Sequence, residues 1–111
     1  MCGAMETTCQ LVKKIIEEVA RAHGVRVLKV FLFGSRARED SSEESDWDFL
    51  VIVDKNMSFH KKWDMVDEIK RRLARLSIPN DIIVRSEREF SETSRQPGTI
   101  SFEVAKEGIP L

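Results

Sequence analysis

The sequence is short of the residues that would place it in several common classes. Only two cysteines occur in 111 residues, Cys2 and Cys9, and no Cys/His cluster surrounds them. That excludes a structural zinc site. A bridge between Cys2 and Cys9 would close only a short loop, so reduced thiols in a cytoplasmic compartment are expected. No apolar run approaches the roughly 20 residues of a membrane span. The first ten residues lack the basic and apolar regions of a signal peptide. Neither sign of charge dominates: the net charge is -1 and the pI about 6.1. Nothing in the totals therefore draws nucleic acid or an anionic membrane from a distance. No internal repeat or interdomain linker interrupts the chain. These absences leave one soluble, cytoplasmic domain over residues 1–111, with no membrane contact and no direct nucleic-acid binding.

What is present is an ordinary globular composition, 41% hydrophobic and 33% charged, enough for one modest core. Residues 1–6 are expected to be disordered. Thr7 and Gln10 have the spacing of a capping box, and Leu11, Val12, Ile15, Ile16 and Val19 recur at helical intervals. A helix over 8–22 follows, ended by Gly24. Val27 to Phe33 predicts a strand buried on both faces. A helical turn over Arg36 to Asp40 and a polar loop from Ser41 to Ser45 lead to a second strand, Asp46 to Val53. Ser58 caps a further helix, in which Phe59, Trp63, Val66, Ile69, Leu73 and Leu76 form one apolar stripe. Phe59 and Trp63 are read there as core anchors in preference to a base-stacking platform, with a partner surface shared with the apolar C-terminal helix as the other use for them. Pro79 stops this helix, and Asp81 to Val84 is a third short strand. Residues 86–96 are compatible with a charged helical turn or a mobile loop. Pro97 suits the first turn of a last helix carrying Ile100 and Val104, closed by Gly108. The order helix, strand, strand, helix, strand, helix predicts an α/β (α+β) fold with helices on a small mixed sheet.

The chemistry concentrates in Val30 to Val53. An apolar run ends in Gly34-Ser35, and the next strand opens with Asp46-Trp47-Asp48. Residues i and i+2 of a strand share a face, so Asp46 and Asp48 stand side by side while Trp47 points to the core. Two adjacent carboxylates repel each other and lose hydration. A divalent cation between them removes that cost, and carboxylates with open positions are the usual setting for Mg²⁺ beside substrate phosphates. Asp81 also begins a short apolar strand and is the candidate third carboxylate. Gly34 permits close backbone approach, and Ser35 opens a turn whose N–H groups and hydroxyl suit phosphate. Arg36 and Arg38 add positive charge. The plain alternative for each is a strand-capping Asp or an ordinary Gly-Ser turn, and only the joint spacing sets it aside. The basic residues Lys61, Lys62, Lys70, Arg71, Arg72 and Arg75 are interleaved with Asp64, Asp67 and Glu68, which describes a solvated helix face.

Gly34-Ser35, ten residues, then Asp46-Trp47-Asp48 resembles the signature of the DNA polymerase beta-like nucleotidyltransferases. Phe33 to Arg38, Ser45 to Val51 and the ending Gly98 to Leu111 resemble the minimal nucleotidyltransferases (MNT), so the likeness covers nearly the whole chain. It implies the mixed-sheet nucleotidyltransferase fold. It implies that Gly34, Ser35 and Arg36 hold the triphosphate of ATP, and that Asp46, Asp48 and Asp81 are catalytic and bind Mg²⁺, two ions being expected. It also implies a partner, a HEPN-domain toxin that the chain neutralises as antitoxin by adenylylating a tyrosine. Trp47 departs from the more usual aliphatic residue. The acidic stretch Glu39 to Glu44 would repel an anionic acceptor. A chain this short is expected to carry no acceptor-binding domain, so the acceptor is expected to be held by a partner protein, to be held by a second copy, or to be the partner itself. Two other functions compete: neutralisation by complex formation alone, and nucleotide transfer to a small molecule.

Overall fold

The computed structural model describes residues 3–38, 42 and 45–111. The elements are α1 (Gly3–Ala22), β1 (Val27–Phe33), β2 (Trp47–Val53), α2 (Phe59–Arg75), β3 (Asn80–Ser86), α3 (Glu87–Thr93), α4 (Ile100–Glu107) and β4 (Ile109–Pro110). They build one sheet in the order β3-β2-β1-β4. β1 runs antiparallel to β2 and β4, while β2 and β3 are parallel. The sheet is therefore mixed, as the sequence predicts. The parallel pair requires a crossover, and α2 supplies it.

Strand alternation decides which side chains meet which helices. On one face Val30, Leu32, Phe49, Val51, Val53, Ile82 and Val84 are buried with Val12, Ile16 and Val19 of α1 and Met65, Ile69 and Leu73 of α2. Each such aliphatic is worth roughly 1.5–3 kcal/mol when fully buried. The other face carries Phe31, Phe33, Asp48, Leu50, Ile52, Asp81, Ile83 and Arg85 by register. There α3 and α4 pack on the sheet, and the Phe31 ring stacks on Phe90 at 5.9 Å. Leu50 is fully covered and Ile52 nearly so. The result is three layers, with the acids on the second face at one end of the sheet.

Helix ends hold the layers in place. Gly24, at φ +79°, lets Val25 N–H donate to Ala20 O and Gly24 N–H to Arg21 O, the paired bonds of a Schellman ending. The end of α2 repeats them, with Ile78 donating to Leu73 O and Ser77 to Ala74 O. Here the left-handed residue is Ser77, at φ 58°. Ser86 and Glu89 form a complete capping box at the start of α3. His23 meets Glu68 at 3.2 Å, tying the end of α1 to α2.

Several expectations need correction. α1 begins at Gly3, not at residue 8, so residues 3–6 are helical and the disorder expected there does not hold for them. Ala4, Met5 and Glu6 are strong helix formers, and extending an existing helix avoids the cost of nucleation. The Thr7/Gln10 capping box is therefore inside the helix. Residues 1–2 lie outside the described residues. β1 is not buried on both faces: Leu28 is 38% exposed and Lys29 is exposed, and an irregularity between Val27 and Lys29 leaves Leu28 without a partner on β2. Leu11, Leu76, Phe59 and Trp63 are exposed rather than core. Pro97 precedes α4, whose cap is Thr99, accepting from Phe102 N–H. Gly108 ends α4 at an ordinary φ of -67°; its lack of a side chain leaves room for Val104 O and the Phe31 ring. The expected turn over 36–40 is formed as far as Arg38, since Ala37 and Arg38 N–H both donate to Gly34 O. The acidic stretch lies outside the described residues at 39–41, 43 and 44.

Candidate functional site

The site forms where the C-terminal end of β1 meets the N-terminal ends of β2 and β3. Phe33 pairs with Asp48 across the antiparallel ladder, and Asp48 stands beside Asp81 across the parallel one. The next residue after Phe33 is Gly34, with φ +76°. A methyl group built on Gly34 would overlap the Asp48 Oδ2 and stand 3.1 Å from its Cγ. Glycine is thus required twice, for its backbone angle and for the carboxylate that occupies the space of its missing side chain.

Electrostatics mark Asp48 as the centre of the group. Burial comes first in holding its carboxyl above the ordinary carboxylate value, followed by the charges of Asp81 and Asp46, while Arg38 pulls the other way. Asp46 precedes β2 and is exposed. Asp81 is 56% exposed, and its Oδ1 lies 3.6 Å from Lys70 Nζ. Asp48 and Asp81 therefore stand as strand neighbours, and Asp46 acts on Asp48 through its charge.

Arg36 is placed by the loop it crosses. Its Nε and one terminal nitrogen donate to Ser45 O at 3.2 and 2.9 Å. Its guanidinium lies over the Trp47 ring, 4.1 Å from the centroid. Trp47 is buried and stacks on Phe49, facing the core as alternation requires. Arg36 thereby joins the Gly34 turn to the residue just before Asp46. The Gly34 turn and the charge of Arg38 thus lie beside the acidic cluster, while Arg36 is held against Ser45 O and the Trp47 ring.

The family described as polymerase beta, nucleotidyltransferase, matches residues 13–111. The chain belongs to that family. A Methanocaldococcus jannaschii relative named as a protein adenylyltransferase is 30% identical over 81 residues, spanning 73% of this chain and 76% of its own. A Sulfolobus solfataricus protein assigned as a nucleotidyltransferase is 27% identical, with a TM-score of 0.59 over 99% of this chain and 86% of that one. The structure of a tri-AMPylated Shewanella oneidensis HEPN toxin with its MNT antitoxin matches at TM-score 0.51 and 16% identity, over 91% of this chain and 69% of that one. This last likeness is one of fold.

A nucleotidyltransferase domain implies Mg²⁺, and the donor set fits it. Among the described residues no three acidic, imidazole or thiol side chains enclose an ion by themselves. Mg²⁺ is commonly held by one or two carboxylates with water and substrate phosphates completing the shell, and the mutually repelling Asp48, Asp81 and Asp46 are a donor set of that kind.

Lys70 was not singled out in the sequence. It sits in a basic helix face that reads as solvated, and only the packing of α2 on β3 brings it to Asp81 and, at 3.5 Å, to Asn80 O. Other cations of that face are paired: Arg71 with Asp67 at 3.0 Å, and Arg72 with Glu18 and Glu68, each at 3.3 Å. Among the described residues no helix is long and apolar enough to cross a membrane.

Proposed function

We propose that the chain transfers AMP from ATP to a tyrosine hydroxyl of a HEPN-domain partner and acts as that partner's antitoxin. The observation that carries this is the Gly34 turn packed directly on Asp48 beside Asp81: a phosphate cradle against a carboxylate group, in a chain whose relatives include a named protein adenylyltransferase. The AMPylated HEPN toxin found with its MNT antitoxin supports the acceptor.

In this reading the backbone of Gly34 and Ser35 and the hydroxyl of Ser35 hold the triphosphate. Arg36 fixes the strand entry that carries Asp46. Asp46, Asp48 and Asp81 would hold two Mg²⁺ ions, which supply charge neutralisation on the phosphates and at the attacking oxygen. Asp81, the most open of the paired strand acids, faces the acceptor and takes the hydroxyl proton. The acceptor oxygen forms a bond to the α-phosphorus in line with the bond that breaks to the β-phosphate oxygen, and pyrophosphate leaves with its electron pair. Positioning and charge stabilisation, not covalent catalysis, are the work of the chain.

The test is transfer of label from α-labelled ATP to the proposed HEPN-domain partner. Label on a partner tyrosine is expected with the native chain and not with Asp46→Asn or Asp48→Asn. No label with the native chain would refute the transfer, and full neutralisation by the doubly substituted one would show an antitoxin acting by binding alone.

A further inference from the structure

The strongest feature outside the acid cluster is a groove of about 410 Å³ lined by Phe59, Lys62, Trp63 and Val66 of α2 and by residues 81–85 of β3. It takes in five consecutive β3 residues and so follows the strand's backbone, not one of its faces. β3 is an edge strand, and such an edge offers a row of N–H and C=O groups that another chain can pair with. Above it stand Phe59, 72% exposed, and Trp63, 54% exposed, their rings edge to face at 6.0 Å. An exposed Trp beside an exposed Phe is costly in water and typical of the anchors of a protein interface.

The groove ends at Asp81, which also belongs to the acid cluster. Its aromatic wall and strand edge are thus continuous with the place where an acceptor hydroxyl must arrive. A polypeptide satisfies all three features together: a backbone for the β3 edge, alternate side chains for Phe59 and Trp63, and a hydroxyl side chain at Asp81. A small acceptor would use only the last. Arg85 on its wall favours an acidic residue in the segment, Lys62 being already paired with Glu89 at 3.5 Å.

We infer that this groove holds an extended, tyrosine-bearing segment of the acceptor protein, which adds to β3 as a further strand and delivers its hydroxyl to Asp81. The inference rests on the proposed protein adenylylation and specifies how the acceptor is held. β-strand addition draws affinity from main-chain bonds and specificity from side-chain pockets.

The experiment uses the full chain and the proposed HEPN-domain partner. Phe59→Ala and Trp63→Ala change exposed side chains, so both variants should fold, with melting temperatures near that of the native chain. Each is expected to raise the KM for the partner by roughly thirtyfold, the size of an anchor loss, with the KM for ATP within twofold of native. Hydrogen exchange should show the outward-facing amides among residues 82–85 protected at least tenfold more in the complex than in the unbound chain. Unchanged partner KM in the double variant, or protection falling on β4 and α4 instead, would overturn the groove while leaving the transfer reaction standing. A native dimer that the double variant converts to monomer, with partner KM unchanged, would overturn it in favour of a second copy. Absence of any transfer by the native chain would instead remove the underlying activity.

Discussion

Gly34→Ala is the most searching substitution available. The native φ of +76° lies in the left-handed region, where a residue with a Cβ costs roughly 1–2 kcal/mol. The new methyl would also overlap the Asp48 Oδ2 and crowd its Cγ and Cβ at 3.1 and 3.4 Å. Either the turn rotates or the carboxylate moves, because β2 is hydrogen-bonded on both sides and cannot shift. For a domain of about 100 residues, strain of 1–2 kcal/mol lowers the melting temperature by about 5–15 °C. The chain should therefore still be folded at 25 °C. A misplacement on the order of 1 Å at a reacting group costs about 100-fold in rate, so kcat for transfer should fall by at least that factor. The assay pairs thermal melting with initial rates of α-labelled ATP transfer. A folded Gly34→Ala chain with native kcat would refute the claim that Asp48 and Gly34 must share this space. Loss of activity through unfolding alone would be visible in the melt.

The remaining tests concern single groups. Asp48 has its carboxyl raised by burial and by Asp81 and Asp46, so its folded value lies above its unfolded one. Its protonated form favours the fold, a contribution complete below the ordinary carboxylate value near 3.9 and lost as pH rises through the folded value. Asp48→Asn should therefore melt higher than the native chain at pH 7, with the gap closing toward pH 3, while transfer is abolished and Mg-ATP no longer raises the melting temperature; a lower melt at pH 7 would contradict this. Ser77→Gly removes a side chain from the left-handed position ending α2 and should gain about 0.5–1 kcal/mol in urea unfolding. Arg36→Lys loses the forked contact to Ser45 O and the flat stack on Trp47. It should cost about 1–2 kcal/mol and raise the KM for ATP more than it lowers kcat, as steady-state rates would show.

Local pattern was enough wherever a feature depends on periodicity. β1 spans Val27–Phe33, the stretch the apolar run predicted, and Trp47 points to the core because alternation leaves it no other side. Asp48 and Asp81 became neighbours through a parallel register that follows once both acids open adjacent strands. The Ser86/Glu89 capping box was also readable as a spacing, although charged surroundings obscured α3. Other features follow no such rule. The apolar stripe of α2 is continuous in sequence, yet its first turns overhang β3 and leave Phe59 and Trp63 in water. β4 is two residues long and exists only because the chain end returns to β1, where Leu111 N–H donates to Val30 O.

The sequence by itself determined the fold class and the family and put the acids forward, because each rests on residue types at fixed intervals along one chain. Only the tertiary structure decided that Asp48 fills the space beside Gly34, that Arg36 bridges to Ser45, that Lys70 stands at Asp81, and that an aromatic groove leads to that acid. Those are contacts between different elements of the fold. They are set by how helices of particular length cross a twisted sheet, and no spacing along one segment records that geometry.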